Sequence, residues 1–162
     1  MYYQIIDTTI GPYFISDSGE GISYVEHVKD LENLSPIIAT MEEKSTPLLE
    51  KASQQLKEYF EGTRKEFDLP LDTNGTPFQE KVWQALRNIP YGEVRSYKDI
   101  AVAIGNPKAV RAVGGANNRN PVSIITPCHR VIGIRGALTG YGGGIDVKEK
   151  LLRLEGVKTI TS

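Results

Sequence analysis

The chain has 162 residues, of which 40% are hydrophobic and 24% charged, with a formal net charge of −1. That length fits one domain or two small ones with a packed core, and no apolar run is long enough to span a bilayer, so a soluble, cytoplasmic protein is expected. One cysteine excludes an internal disulfide and every zinc site built from clustered cysteines, and near-neutral charge argues against indiscriminate nucleic-acid binding.

The charge is unevenly spread. Residues 1–68 hold thirteen acids against six bases, whereas the stretch from Arg87 to Arg130 holds seven bases and two acids, Glu93 and Asp99. Such polarity either offers a positive face to a polyanion or is ordinary solvated surface, and the asymmetry alone does not choose.

In chain order, Tyr2–Asp7, Pro12–Asp17 and Gly21–His27 read as three short strands joined by Gly-containing turns. An irregular acidic stretch follows. Leu48, Leu49, Ala52, Leu56, Tyr59 and Phe60 then recur at helical spacing over Pro47–Glu61, and Gly62 ends that helix. His27, with no cysteine or carboxylate cluster near it in sequence, reads as structural. The expected architecture is α+β: a small three-stranded sheet with a helix over residues 1–75, then a mostly helical, winged-helix-like domain over residues 76–162.

Leu69–Gly75 has linker composition, and Thr76-Pro77 opens the next helix with a hydroxyl cap and a proline at its first position. Ser96-Tyr97-Lys98-Asp99 begins a helix over Tyr97–Ile104 like a capping box. Gly105 breaks it, Asn106 caps, and Pro107 starts another through about Ala116. Two short helices joined by a Gly-containing turn look like a helix-turn-helix, with Lys108, Arg111, Ala112 and Gly115 on the outer face of the second. Small residues around one arginine would let the helix approach a nucleic-acid backbone. Plain helix packing with Arg111 solvated fits the same pattern.

Ile124-Ile125-Thr126-Pro127-Cys128-His129-Arg130-Val131-Ile132-Gly133 places the cysteine beside one of the two histidines in apolar surroundings, which reads as buried, extended backbone. A thiol attacks as its thiolate and needs a base or a positive charge to form it. Neighbouring residues on a strand face opposite ways, so His129 would reach the Cys128 proton through a water. An unpaired cysteine is also commonly a small buried apolar residue. Asn120 stands in the turn upstream, Gly133–Gly136 reads as a hairpin, and Gly140–Gly144 would let backbone N–H groups approach a ligand. Asp146 is expected to cap a last helix that ends at Glu155. A carboxylate there opposes the helix dipole, a cost that a hydrogen bond to His129 would explain.

The run from Ser96-Tyr97 through Gly105-Asn106-Pro107-Lys108-Ala109-Val110-Arg111-Ala112-Val113-Gly114-Gly115-Ala116, then Asn120-Pro121, Pro127-Cys128-His129-Arg130 and Tyr141-Gly142-Gly143-Gly144, closely resembles the O6-alkylguanine-DNA alkyltransferases. The resemblance implies direct-reversal repair of double-stranded DNA, in which an alkyl group passes once and irreversibly to Cys128 after the base is flipped out. O6-alkylguanine is the implied substrate and O4-methylthymine a second one. It implies His129 as the base acting through water, Glu155 as its orienting partner, Tyr97 as proton donor to the leaving guanine and Asn120 as a brace beside the thiol. Arg111 would fill the space left by the flipped base. Lys108, Ala112, Gly115, Ser96 and Arg119 would meet the DNA, while Val131, Tyr141, Gly142, Gly143 and Gly144 would hold the base. No cofactor is implied, and a monomer is expected. Some relatives bind zinc in the first domain, but this chain lacks the cysteine to do so. Some carry a serine at the position of Gly142, where only backbone is available here. A lesion sensor without transfer, a winged-helix regulator and a thiol hydrolase are the rival readings.

Overall fold

In the computed structural model, which describes residues 1–133 and 144–157, the chain divides into two units, Met1–Thr73 and Asn74–Ser162. In the first, Tyr2–Ile6 (β1), Tyr13–Asp17 (β2) and Ile22–His27 (β3) form an antiparallel meander. Every residue of β2 is buried, because the strand lies between β3 and β1. A short helix, Leu31–Ile38 (α1), occupies the acidic stretch that carries no helical signal in the sequence. Glu42–Glu43 (β4) then pairs parallel with β1, so the sheet has four strands in the order β3-β2-β1-β4. Two exposed glutamates have no alternation to announce a strand; backbone pairing alone makes it one.

Pro47–Phe60 (α2) starts where proline is tolerated, and its cap Thr46 accepts from the Leu49 N–H. The Thr46 hydroxyl also donates to Asp17 at 2.7 Å, tying the helix start to β2. Leu49, Ala52, Leu56, Tyr59 and Phe60 bury its inner face. The Ile22 N–H donates to the Pro70 carbonyl and the Asp72 N–H to the Ile22 carbonyl, so most of the apparent linker is fastened to this unit. His27 is buried, with Nε2 donating to the Ile10 carbonyl and Nδ1 accepting from the Lys29 N–H, a structural role.

The second unit contains Pro77–Arg87 (α3), Arg95–Ser96 (β5), Tyr97–Ala103 (α4), Val110–Asn118 (α5), Val131–Ile132 (β6) and Ile145–Leu154 (α6). β5 and β6 form a two-stranded parallel pair. Thr76 with Gln79, and Ser96 with Asp99, make full capping boxes at the starts of α3 and α4. Val82, Trp83 and Leu86 of α3 pack with Ile100, Ala101, Val113 and Ala116 from the helix pair. The Trp83 indole N–H donates to the Ala116 carbonyl at 2.8 Å, which fixes α3 against α5.

Two expected helix starts move. Asn106-Pro107-Lys108 is turn rather than helix, and α5 begins at Val110 with no side-chain cap. Pro107 fits a first helical position, but the Ala109 N–H bonds to the Asn106 carbonyl in a tight turn. Lys98 secures that turn by donating to the Pro107 carbonyl. At α6 the cap is Gly144 at φ 97°, and Asp146 lies in the first turn, folded back toward Gly144. Among the described residues no helix is long and apolar enough to cross a membrane.

Candidate active site

Cys128–Arg130 is a single 3-10 turn, which corrects the expectation of extended backbone. Apolar neighbours suit either state, and among the described residues no strand pairs with this segment. Its buried backbone is satisfied locally instead. The Ile125 N–H bonds to the Ser123 carbonyl across Ile124 at φ 72°, a γ-turn that a β-branched residue enters at a cost. The Cys128 N–H bonds to the Thr126 carbonyl across Pro127 at φ −82° and ψ 66°, the inverse γ-turn. Asn120 holds this path together: its Nδ2 donates to the Val122 and Thr126 carbonyls, and its Oδ1 accepts from the Val122 N–H. Arg87 adds a bond to the Thr126 hydroxyl.

Cys128 is 4% exposed and packs with Val113 and Ala116, on the helix that also carries Arg111. His129 is fully buried. Its Nε2 lies 2.6 Å from Glu155 Oε2. An ionised carboxylate can only accept, so Nε2 carries the hydrogen and Nδ1 keeps a lone pair that no described group fills. Glu155, at the C-cap of α6, also takes both Nε and Nη2 of Arg130 at 2.8 and 3.1 Å and the Gly92 N–H at 3.1 Å. Arg130 gives its remaining arm to the Ile89 carbonyl and lies over the Tyr91 ring.

The electrostatics follow from this arrangement. Burial alone would raise the Glu155 pKa, but the bonds and charges of His129 and Arg130 outweigh it and hold the carboxyl well below its usual range. Burial pushes His129 down, helped by the Arg130 and Lys148 charges and opposed by Glu155. Burial is the largest of these effects and outweighs the support Glu155 would give a proton on His129. The resting imidazole is therefore neutral and able to accept one.

Sequence reasoning missed three groups. Lys148 on α6 is completely buried, with Nζ donating to the Val131 carbonyl at 2.5 Å. Burial lowers its pKa to about 8, and the Cys128 sulfur pulls the other way. Arg130 braces Glu155, as described, and Asn117 on α5 donates to the Cys128 carbonyl at 3.4 Å. A lysine among Val147, Leu151 and Leu152 on the inner side of an amphipathic helix is the signal that could have found the first.

Among the expected DNA contacts, Arg111, Ala112, Lys108 and Arg119 are exposed, while Gly115 and Ser96 are half-buried. Tyr97 is half-buried at the start of α4, and a Cβ at Gly114 would lie 3.9 Å from its ring, so α5 passes directly over it. The Val131 N–H bonds to the Cys128 carbonyl. Tyr141, Gly142, Gly143 and most of the expected hairpin lie outside the described residues, and Gly144 is described only as the cap of α6. No group of three or more His, Cys, Asp or Glu among the described residues is placed to hold a metal.

Residues 77–157 match the family model for the 6-O-methylguanine DNA methyltransferase DNA-binding domain, and residues 1–73 match that family's ribonuclease-like domain. The chain is 51% identical over 156 residues to a methylated-DNA–protein-cysteine methyltransferase of Methanosarcina acetivorans, covering 96% of this chain and 99% of that protein. It is also 51% identical over 156 residues to the constitutive enzyme of that name from Bacillus subtilis, covering 95% and 94%. The crystal structure of Mycobacterium tuberculosis OGT in complex with DNA superposes with a TM-score of 0.86 at 46% identity, over 96% of this chain and 92% of that one. Matched over both units and at half identity along nearly its whole length, this chain belongs to the 6-O-methylguanine DNA methyltransferase family.

Proposed function

We propose that the protein repairs alkylated DNA by taking the alkyl group of O6-alkylguanine, and of O4-methylthymine, onto Cys128. The observation that carries this is His129 held through Nε2 by an ionised Glu155, with the Nδ1 lone pair unfilled, directly after the chain's only cysteine. The Cys128 S–H proton passes through a water to Nδ1, and the resulting imidazolium is stabilised by Glu155. The thiolate attacks the alkyl carbon in line. A C–S bond forms as the C–O6 bond breaks, and the electron pair leaves with guanine, which takes a proton from the Tyr97 hydroxyl. Asn120 keeps the segment before the thiol in place.

The product is a thioether. A thioether C–S bond resists hydrolysis, so each molecule reacts once, and the chemistry requires no cofactor. An alkyl carbon inside a duplex is out of reach of a buried thiol, so the nucleotide must be flipped out. Arg111, exposed on α5, takes the vacated space. Ala112 and Gly115 let the helix approach closely, and Ser96, Lys108 and Arg119 meet phosphates. Val131 and the Tyr141–Gly144 stretch receive the base. The Mycobacterium tuberculosis relative in complex with DNA supports double-stranded DNA as the partner, and a monomer suffices because every reacting group comes from one chain.

Intact mass before and after incubation with a duplex containing O6-methylguanine tests this reading. One added methyl on the wild-type protein, absent from Cys128→Ser, is the expected result. A wild-type protein that gains no mass would reject it.

A further inference from the structure

Two buried acceptors beside the nucleophile have no donor among the described residues: His129 Nδ1 and Asn117 Oδ1. Asn117 is 2% exposed, and its other side-chain atom, Nδ2, is committed to the carbonyl of Cys128 itself. Exchanging the two ends of the amide would set oxygen against oxygen at that carbonyl, so the orientation is decided by the bond. An unpaired buried acceptor is costly, and one retained next to a reactive thiol calls for a function. Neither acceptor can satisfy the other. A donor with two hydrogens set between them would satisfy both, and that is what a water molecule offers.

We infer that Asn117 is a positioning residue for the proton path of Cys128, orienting the water through which the thiol reaches His129. This rests on the proposed alkyl transfer and adds a member to its machinery. One water hydrogen is held by Asn117 Oδ1 and the other points at His129 Nδ1, which turns the oxygen lone pair toward Cys128. The S–H bond breaks as an O–H bond forms. The O–H bond facing the imidazole breaks as N–H forms, and the hydrogen on Asn117 does not move. Without that anchor the water can donate to His129 while turning its lone pair away from sulfur. The Asn117 N–H on the Cys128 carbonyl fixes the distance between the amide and the nucleophile's own backbone.

The test is the pH dependence of Cys128 alkylation in full-length wild type, Asn117→Leu and Asn117→Ala, each first shown to be folded by circular dichroism. Transfer from methylated duplex and reaction with iodoacetamide are both followed by intact mass. The expected result is a rate about tenfold lower at neutral pH in Asn117→Leu, with the midpoint of both profiles moved to higher pH. Asn117→Ala, which leaves room for a second water, should show a smaller shift and carries the test if the leucine variant does not fold. Rates lowered by one factor at every pH, with midpoints unmoved, would reduce Asn117 to packing and overturn the inference. Failure of wild type to accept methyl from DNA would reject the repair reading, while the iodoacetamide profiles would still decide whether Asn117 sets the thiol's proton affinity.

Discussion

Lys148 shows how one side chain can serve both reactivity and stability. Its ammonium is desolvated, donates to the Val131 carbonyl and is attracted to the Cys128 sulfur. A thiolate gains from that charge, and about 1.4 kcal/mol of such help corresponds to tenfold in ionisation. Lys148→Met is therefore expected to slow iodoacetamide alkylation of Cys128 by about tenfold at neutral pH, as read by intact mass. The folded pKa of about 8 lies below the ordinary 10.5. Between those values the unfolded chain binds the extra proton, so this group makes stability rise with pH across that window. Urea titrations at the two ends of the window should show the rise in wild type and lose its Lys148 share in Lys148→Met. An unchanged difference between the two proteins would mean that the lysine is not desolvated in solution.

At the scale of elements, α4 and α5 act as a unit because their ends are secured. Ser96 and Asp99 close the start of α4, Lys98 fastens the intervening turn, and Trp83 holds the end of α5. The outer face is left with Arg111 and Ala112, and with Lys108 in the turn before it. Arg111→Ala is expected to weaken repair of duplex DNA far more than reaction with free O6-benzylguanine, because only the duplex has a space to fill. Equal losses on both substrates would remove Arg111 from base flipping. Lys108→Ala and Arg119→Ala should each weaken binding across sequences and lower the slope of log K against log salt by about 1, as loss of one phosphate contact requires. Fluorescence anisotropy at several salt concentrations measures this.

Taken over the whole chain, the ion pairs behind the nucleophile set its response to acid. His129 is held below its ordinary 6.5 by burial, and Glu155 below its ordinary 4.5 by His129 and Arg130 against the pull of burial. As pH falls through these values the unfolded chain takes up protons that the folded one refuses, so stability is present above about 6.5 and drains away below it. Trp83 is the only tryptophan and lies in the same unit, so its fluorescence reports that loss. Glu155→Gln should cost about 3–5 kcal/mol at neutral pH, because Arg130 stays buried without its partner, and should flatten the acid dependence. A variant as stable as wild type in urea would show that the pair contributes nothing net.

The cysteine, its histidine, the closing glutamate and the helix-turn-helix were all legible in the residues, because local rules write them: caps, glycine breaks and helical spacing. β4 was not, since two exposed glutamates carry no pattern and become a strand only by lying beside β1. The turn at Cys128 was not, because apolar runs do not distinguish a strand from a segment whose backbone is paired by asparagine side chains. Lys148, Asn117 and Arg130 received no role from the sequence. Their roles depend on which buried carbonyl or carboxylate each meets. Short-range chemistry in the chain determined where the nucleophile and its helices lie. The charge states around the sulfur were decided by folding, because desolvation and pairing arise only when residues distant in sequence shut out water together.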